Sequence, residues 1–462
     1  MKQNKSIFYL SFITAITTLG GFLFGYDTAV ISGTINFVTT KYHLDAIMEG
    51  WFVGSALLGC IIGVSVAGMI SDKFGRKFTL LTSSVLFTVS AIGCALAIDH
   101  TQLIAYRMIG GLGIGIASML APLYISEISP PNIRGRLVSL YQFAITIGIL
   151  SAYFVNSWLL NISSSHYNFT GVLNWIINDE VWRSMFGAGA IPALIFFGLL
   201  FFVPESPRWL TSKGKSTKAE AILTRVLGKE EAKKEIDDIN ETLKQETGSL
   251  KQLFQPGLRL ALIIGMSLAI LSQFTGINVI IYYGPKIMAQ AGLSTADTLK
   301  SQVLIGLINC IFTIVALWKI DKLGRRPLLM IGIVGMSVCL MLIGLFFSIN
   351  VSNNIWLLIF MLVYCAFFAF SFGPVIWTML SEFYPTYIRG RAMSIATLTL
   401  WVGTYLMGQT FPWMLEVLKP ALTFWIFALM CVPAFLITWK LAPETKGKTL
   451  EEIEKYWFSR KK

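Results

Sequence analysis

Apolar stretches long enough to cross a bilayer alternate with short charged loops along almost the whole chain. The hydrocarbon core of a membrane is about 30 Å thick and takes ~20 apolar residues per helix. Twelve stretches meet that length, at approximately 7–36, 48–70, 78–98, 103–126, 137–160, 183–203, 259–289, 300–319, 327–349, 355–380, 392–414 and 421–441. Lipid offers no partners to backbone N–H and C=O groups, so these segments are expected to be helices. Pro192, Pro374 and Gly276 interrupt some of them; packed neighbours absorb such kinks, though Gly276, beside Asn278, suggests a broken seventh helix. The longest polar stretch, 204–258, separates the sixth and seventh spans. There Ala219, Ile222 and Val226, then Ile236, Ile239 and Leu243, recur at helical spacing and predict short amphipathic helices.

Composition removes the soluble alternative. Of 462 residues, 55% are apolar or aromatic and only 13% charged, about half the ~25% of soluble domains. Cys60, Cys94, Cys310, Cys339, Cys365 and Cys431 all sit in apolar stretches, with no CxxC and no Cys/His cluster. They read as buried hydrophobes, so neither a disulfide framework nor a metal site is expected.

Charge adds the orientation. Among 37 Lys and Arg, only Lys41, Arg183, Lys286, Lys300 and Lys419 fall in loops of one side, and Arg107 lies inside a span. The rest gather at the N-terminus, in every second loop and in the C-terminal tail. The positive-inside rule makes that side cytoplasmic and puts both termini there. The net charge of +12 then reflects topology and contact with anionic lipid headgroups. Nucleic acid would need a basic folded face with aromatics, and none is present. The first apolar stretch is also too long for a cleavable signal peptide.

The chain repeats itself. SEISPPNIRGR (126–136) returns as SEFYPTYIRGR (381–391), DKFGRK (72–77) as DKLGRR (321–326), and PESPR after span six as PETKGK after span twelve. The order is kept, and each offset is close to half the chain. This predicts two six-helix bundles related by an axis along the membrane normal, with a site between them at the midplane. The expected parts are an N-terminal bundle over 1–203, a linker over 204–258, a C-terminal bundle over 259–441 and a tail over 442–462.

Three sets of residues carry candidate chemistry. Asp27 and Arg107 are opposite charges inside spans at similar depth, and an isolated charge there costs at least ~2.5–3.5 kcal/mol, so they are expected to pair. Gln142, Gln273, Asn278, Tyr282, Asn309 and Trp377 lie deep in spans. Amides offer both donor and acceptor to sugar hydroxyls, and aromatic faces stack on the C–H side of a ring. The helix-end charges Asp72, Arg76, Glu127, Arg134 and Arg136 are matched in the second half by Asp321, Arg325, Glu382, Arg389 and Arg391. They read either as topology charges and caps or as a network latching the cytoplasmic face.

GFLFGYDTAVISG (21–33), PESPRWL (204–210), QFTGINVIIYY (273–283), FGPVIW (372–377) and PETKGKTLEE (443–452), with the DxxGR/K and RGR loops, resemble the sugar porter branch of the major facilitator superfamily over nearly the whole chain. The resemblance implies the twelve-helix, two-bundle fold and transport of a monosaccharide by alternating access. It implies that Asp27, set by Arg107, is the proton-coupling carboxylate, since uniporting members usually carry a neutral residue there. Positions matching the polar set would contact the sugar, with Phe24, Ser272, Gly373 and Trp401 completing the lining. Ser272 replaces the first member of a common Gln-Gln pair. Leu400 and Ile149 stand where proton–xylose symporters have Gln, which leaves the sugar open. The expectation is a proton–monosaccharide symporter of a bacterial inner membrane, monomeric, with no cofactor beyond the proton. Passive facilitation is the rival. A non-transporting sensor would carry a long tail, whereas this chain ends about twenty residues after span twelve. No nucleophile–base pair or Walker-type loop points to an enzyme or to ATP.

Overall fold

The computed structural model describes residues 2–130, 133–165, 167–245, 250–349, 355–385, 388–448 and 450–459, and their side chains except those of 2–7, 242–245, 250, 251, 321, 450 and 451. The described elements are all helical. In the first half they run α1 (Lys2–Tyr42), α2 (Ala46–Phe74), α3 (Arg76–Leu96), α4 (His100–Ile128) and α5 (Arg134–Ser164). The short α6 (Val172–Asn174) continues as a π-helical turn, then α7 (Val181–Ala188) and α8 (Ala190–Leu200) together make span six. The connecting region forms α9 (Pro207–Ser212), α10 (Ser216–Leu227) and α11 (Lys229–Gln245). Leu223 of α10 packs with Ala232 and Ile239 of α11 in a small core of its own.

The second half runs α12 (Leu258–Phe274), α13 (Ile277–Gln290), α14 (Thr295–Leu323), α15 (Arg325–Ser348), α16 (Ile355–Phe370), α17 (Phe372–Phe383), α18 (Arg389–Val417), α19 (Lys419–Lys440) and α20 (Leu450–Ser459). The spans are apolar on both faces, as lipid requires. On α15, Ile333, Met336, Leu340 and Ile343 are buried, while Ile331, Val334, Val338, Met341 and Leu345 form an exposed apolar stripe.

Eleven of the expected spans are helical segments that combine sufficient length and hydropathy among the described residues. The stretch expected at 392–414 is α18, whose 29 residues reach ~43 Å. Its threonines make it more polar. Thr399, Thr404 and Thr410 return hydroxyl hydrogen bonds to carbonyls one turn back, which meets their needs without water.

Span seven breaks where Gly276 takes a left-handed conformation (φ 90°, ψ 15°). A side chain is disfavoured there, and a Cβ would also stand 2.8 Å from the Phe427 ring. Span ten, read from sequence as continuous over 355–380, breaks at Ser371 between α16 and α17. Pro374 has no N–H to return to the Phe370 carbonyl.

Packing divides the chain into two compact units. The first holds Met1–Asp27, Gly59–Gly148 and Phe186–Gly248, and the second Thr28–Leu58, Ile149–Met185 and Ser249–Lys462. In the first unit, small residues let backbones touch. A Cβ on Gly63 would stand 2.5 Å from the Leu112 carbonyl oxygen, and one on Gly115 2.3 Å from that of Cys60. Close contact of this kind holds helices together where lipid supplies no hydrophobic drive. In the second unit α15 packs on α16 and α19, and α12 on α18.

Candidate functional site

In the first unit, α1 and α4 bring Asp27 and Arg107 together. Arg107 Nη1 donates to Asp27 Oδ2 at 3.3 Å, with side-chain exposures of 3% and 17%. The contact is longer than the 2.7–2.9 Å of a tight charge-assisted bond. Asp27 Oδ1 accepts no protein hydrogen bond among the described residues, and Arg107 Nε is buried without an acceptor. The guanidinium lies 5.4 Å from the centre of the Phe186 ring. Gly110 admits this arrangement, since a Cβ there would meet Ser90 Oγ at 2.4 Å and come within 3.7 Å of Asp27 Oδ1. Phe24 lies on α1 and Gln142 on α5, both half-buried, and the Gln142 side chain makes no protein hydrogen bond among the described residues.

In the second unit, the break in span seven gathers a polar cluster. Asn278 Nδ2 donates to Gln273 Oε1 at 2.6 Å, and Gln273 Nε2 donates to Ser272 Oγ at 2.8 Å. Thr404 Oγ1 of α18 reaches Gln273 Oε1 at 3.1 Å. Tyr282 and Trp401 are buried nearby in sequence on α13 and α18. Asn309 on α14 is buried and Trp377 on α17 half-buried, and neither side chain makes a protein hydrogen bond among the described residues. Gly373 opens α17, where a Cβ would meet only ordinary contacts with Phe368. Thr404 was not anticipated, because a helical threonine ordinarily bonds its own turn.

The charged helix ends form one pattern twice. In the first unit, Arg76 binds Glu127 through two bonds of 3.0 and 3.1 Å and Asp72 through one of 3.1 Å. Arg134 pairs with Glu235 of α11 at 3.5 Å, and Arg136 is exposed. In the second unit, Arg325 binds Glu382 through bonds of 3.0 and 3.3 Å. Arg389 donates to the Tyr384 carbonyl at 3.4 Å, and Arg391 is exposed. The Asp321 side chain lies outside the described residues.

Two acidic residues of this pattern escaped the sequence reading. Glu205 Oε1 accepts the backbone N–H groups of Arg76 and Lys77 at 2.8 and 3.2 Å. Glu444 accepts those of Arg325 and Arg326 at 3.1 and 3.0 Å. Each carboxylate therefore caps a span from a distant loop, where the helix dipole favours negative charge. The recurrence of PES and PET was the available signal.

Two solved structures of the xylose transporter XylE from E. coli resemble this fold. A partially occluded inward-open conformation matches with a TM-score of 0.83 at 39% identity, covering 96% of this chain and 99% of that one. The form bound to 6-bromo-6-deoxy-D-glucose matches at 0.82 and 40%, covering 97% and 99%. Among curated proteins, the arabinose-proton symporter of Bacillus subtilis (strain 168) is 43% identical over 456 residues, 98% of this chain and 96% of that protein. The D-xylose-proton symporter of Escherichia coli (strain K12) is 41% identical over 491 aligned positions, 99% and 97% of the two chains. The sugar (and other) transporter family model matches residues 13–457, and with described elements that are all helical and eleven candidate spans among them beneath that match, the chain belongs to this family.

Proposed function

We propose that the chain is a proton-coupled symporter importing a pentose or hexose by alternating access across a bacterial cytoplasmic membrane, with both termini cytoplasmic. It works as a monomer, uses the proton as its only coupling partner and makes or breaks no covalent bond in the sugar. The relatives named as arabinose- and xylose-proton symporters support the class. The observation that carries the coupling is the Asp27–Arg107 pair. Its single long contact leaves Oδ1 open, so a proton arriving there neutralises the carboxylate and frees the guanidinium. A change in the water around the pair, or in its separation, moves the proton affinity of Asp27. One charge crossing 100 mV supplies ~2.3 kcal/mol, enough for roughly fiftyfold accumulation at one proton per sugar. The sugar is held by the amides and aromatics named above, with Gln273 and Asn278 central.

The test is uptake into proteoliposomes of a panel of pentoses, hexoses and inositol, with and without an imposed proton gradient. Wild type should concentrate its sugar only under the gradient. Asp27→Asn, fixed in the neutral form, should lose uphill uptake yet keep sugar binding and exchange. Wild type that merely equilibrates sugar, matched by Asp27→Asn, would identify a passive facilitator.

A further inference from the structure

The polar cluster of the second unit has an internal direction. Ser272 Oγ lies 2.7 Å from the Ala269 carbonyl oxygen, an obligate acceptor, so the single hydroxyl proton of Ser272 points there. Toward Gln273 the same oxygen can then only accept. The Gln273 atom 2.8 Å away must be its N–H, which turns Oε1 toward Asn278 and Thr404. Asn278 must in turn present its own N–H to Oε1, and so its Oδ1 faces away. Thr404 Oγ1 lies between two acceptors, Gln273 Oε1 at 3.1 Å and the Leu400 carbonyl at 2.9 Å, and shares its one proton between them. Gln273 Oε1 thereby accepts from the Asn278 N–H and faces the shared Thr404 proton on its other side.

We infer that Ser272 and Thr404 are positioning residues that fix the polarity of this cluster, leaving Gln273 purely a donor toward sugar and Asn278 Oδ1 its acceptor. This rests on the sugar-site reading above. Ser272, almost fully buried with its proton and one lone pair engaged, orients the amides rather than touching the ligand. Reversing Gln273 would require Asn278 to turn with it and Ser272 to abandon Ala269. The polarity sets specificity. A hydroxyl facing Gln273 must accept, so fluorine can replace it better than hydrogen can. A hydroxyl facing Asn278 Oδ1 must donate, so fluorine and hydrogen both fail.

The experiment measures calorimetric affinity for D-xylose, D-glucose and their monodeoxy and monofluoro analogues. It compares wild type with Ser272→Ala, Thr404→Val, Thr404→Ser and Gln273→Ala. At one ring position wild type should prefer the fluoro over the deoxy analogue by about two- to tenfold, as one hydrogen bond allows, and at another the two should be equally poor. Ser272→Ala and Thr404→Val should shrink the preference below about twofold, while Thr404→Ser keeps it. A preference unchanged in Ser272→Ala and Thr404→Val but lost in Gln273→Ala would overturn the positioning role and leave the site standing. A preference that survives Gln273→Ala would overturn both.

Discussion

Glu180 keeps its charge against its surroundings. Partial burial opposes ionisation, but hydrogen bonds from Lys41 and Arg183 outweigh it and hold the carboxyl below the usual carboxylate range. Arg183 is itself buried and lies 4.0 and 4.3 Å from the ring centres of Trp175 and Trp182, where a desolvated guanidinium is well placed on aromatic faces. A carboxyl whose folded pKa is depressed stabilises the native state above its unfolded pKa, ~4.3 for Glu. That contribution is lost as pH falls through the lower folded value. Backbone exchange across 172–185 should therefore stay protected near neutrality and rise only on acidification below about pH 4.3, and Glu180→Gln should flatten that response. Equal acid sensitivity in the variant would remove Glu180 as the anchor. Lys41, Arg183 and Lys286 were already conspicuous in the sequence as exceptions to the charge bias. Their carboxylate partners were less so: Glu180 meets Lys41, and Glu49 meets Lys286, only through tertiary packing, although Glu180 also stands three residues before Arg183. Asp27 and Arg107 could be paired in advance because a bilayer leaves two buried charges so few other options.

Among the elements, helix existence was legible nearly everywhere and helix continuity was not. Gly276 announced the break in span seven, since its segment also carries the amides. Pro374 did not announce the break in span ten, because membrane helices commonly absorb a proline, and only the geometry at Ser371 separates a kink from an interruption. The repeated loops were legible as repeats, yet the work of Glu205 and Glu444 was hidden in the distance between loop and helix. Both helices they cap begin after a glycine of positive φ, Gly75 (99°) and Gly324 (92°), which delivers the first N–H groups to the carboxylate. Glu205→Ala should cost about 1–2 kcal/mol, the upper range for loss of a cap, with Glu444→Ala similar and Glu205→Gln milder because it keeps an acceptor but loses the charge. Thermal unfolding of the purified variants in detergent is the measurement. Glu205→Gln as damaging as Glu205→Ala would assign the whole effect to charge at the helix terminus.

For the molecule as a whole, the covalent repeat and the packing follow different boundaries. The second unit draws Thr28–Leu58 and Ile149–Met185 from the first sequence half into contact with the second half. These are the parts nearest the side that the charge bias assigns to the exterior. Tyr153 donates to the Ile281 carbonyl at 3.0 Å, an acceptor left open because Pro285 has no N–H to return to it. Lys286 of α13 binds Glu49 of α2 at 2.5 Å, and Thr39 of α1 donates to the other carboxylate oxygen at 3.1 Å. The pair is unequal, with the Glu49 side chain 3% exposed and that of Lys286 26%. Lys286→Met strands a carboxylate in the interior, a loss of about 3–5 kcal/mol for a buried pair broken on one side. Glu49→Leu is milder, because the long lysine stem can carry its ammonium to water. The double variant should recover most of what Lys286→Met loses, since replacing both charges with apolar side chains removes the uncompensated one. Amide exchange over 28–58 and 277–290, together with thermal midpoints, reads the order: Lys286→Met least protected, the double variant close to Glu49→Leu. In a carrier, weaker closure of this unit should also make a cysteine placed at Asn278 more reactive toward an impermeant reagent added outside. The opposite order, with Glu49→Leu the more damaging, would mean that the ammonium rather than the carboxylate depends on the pair.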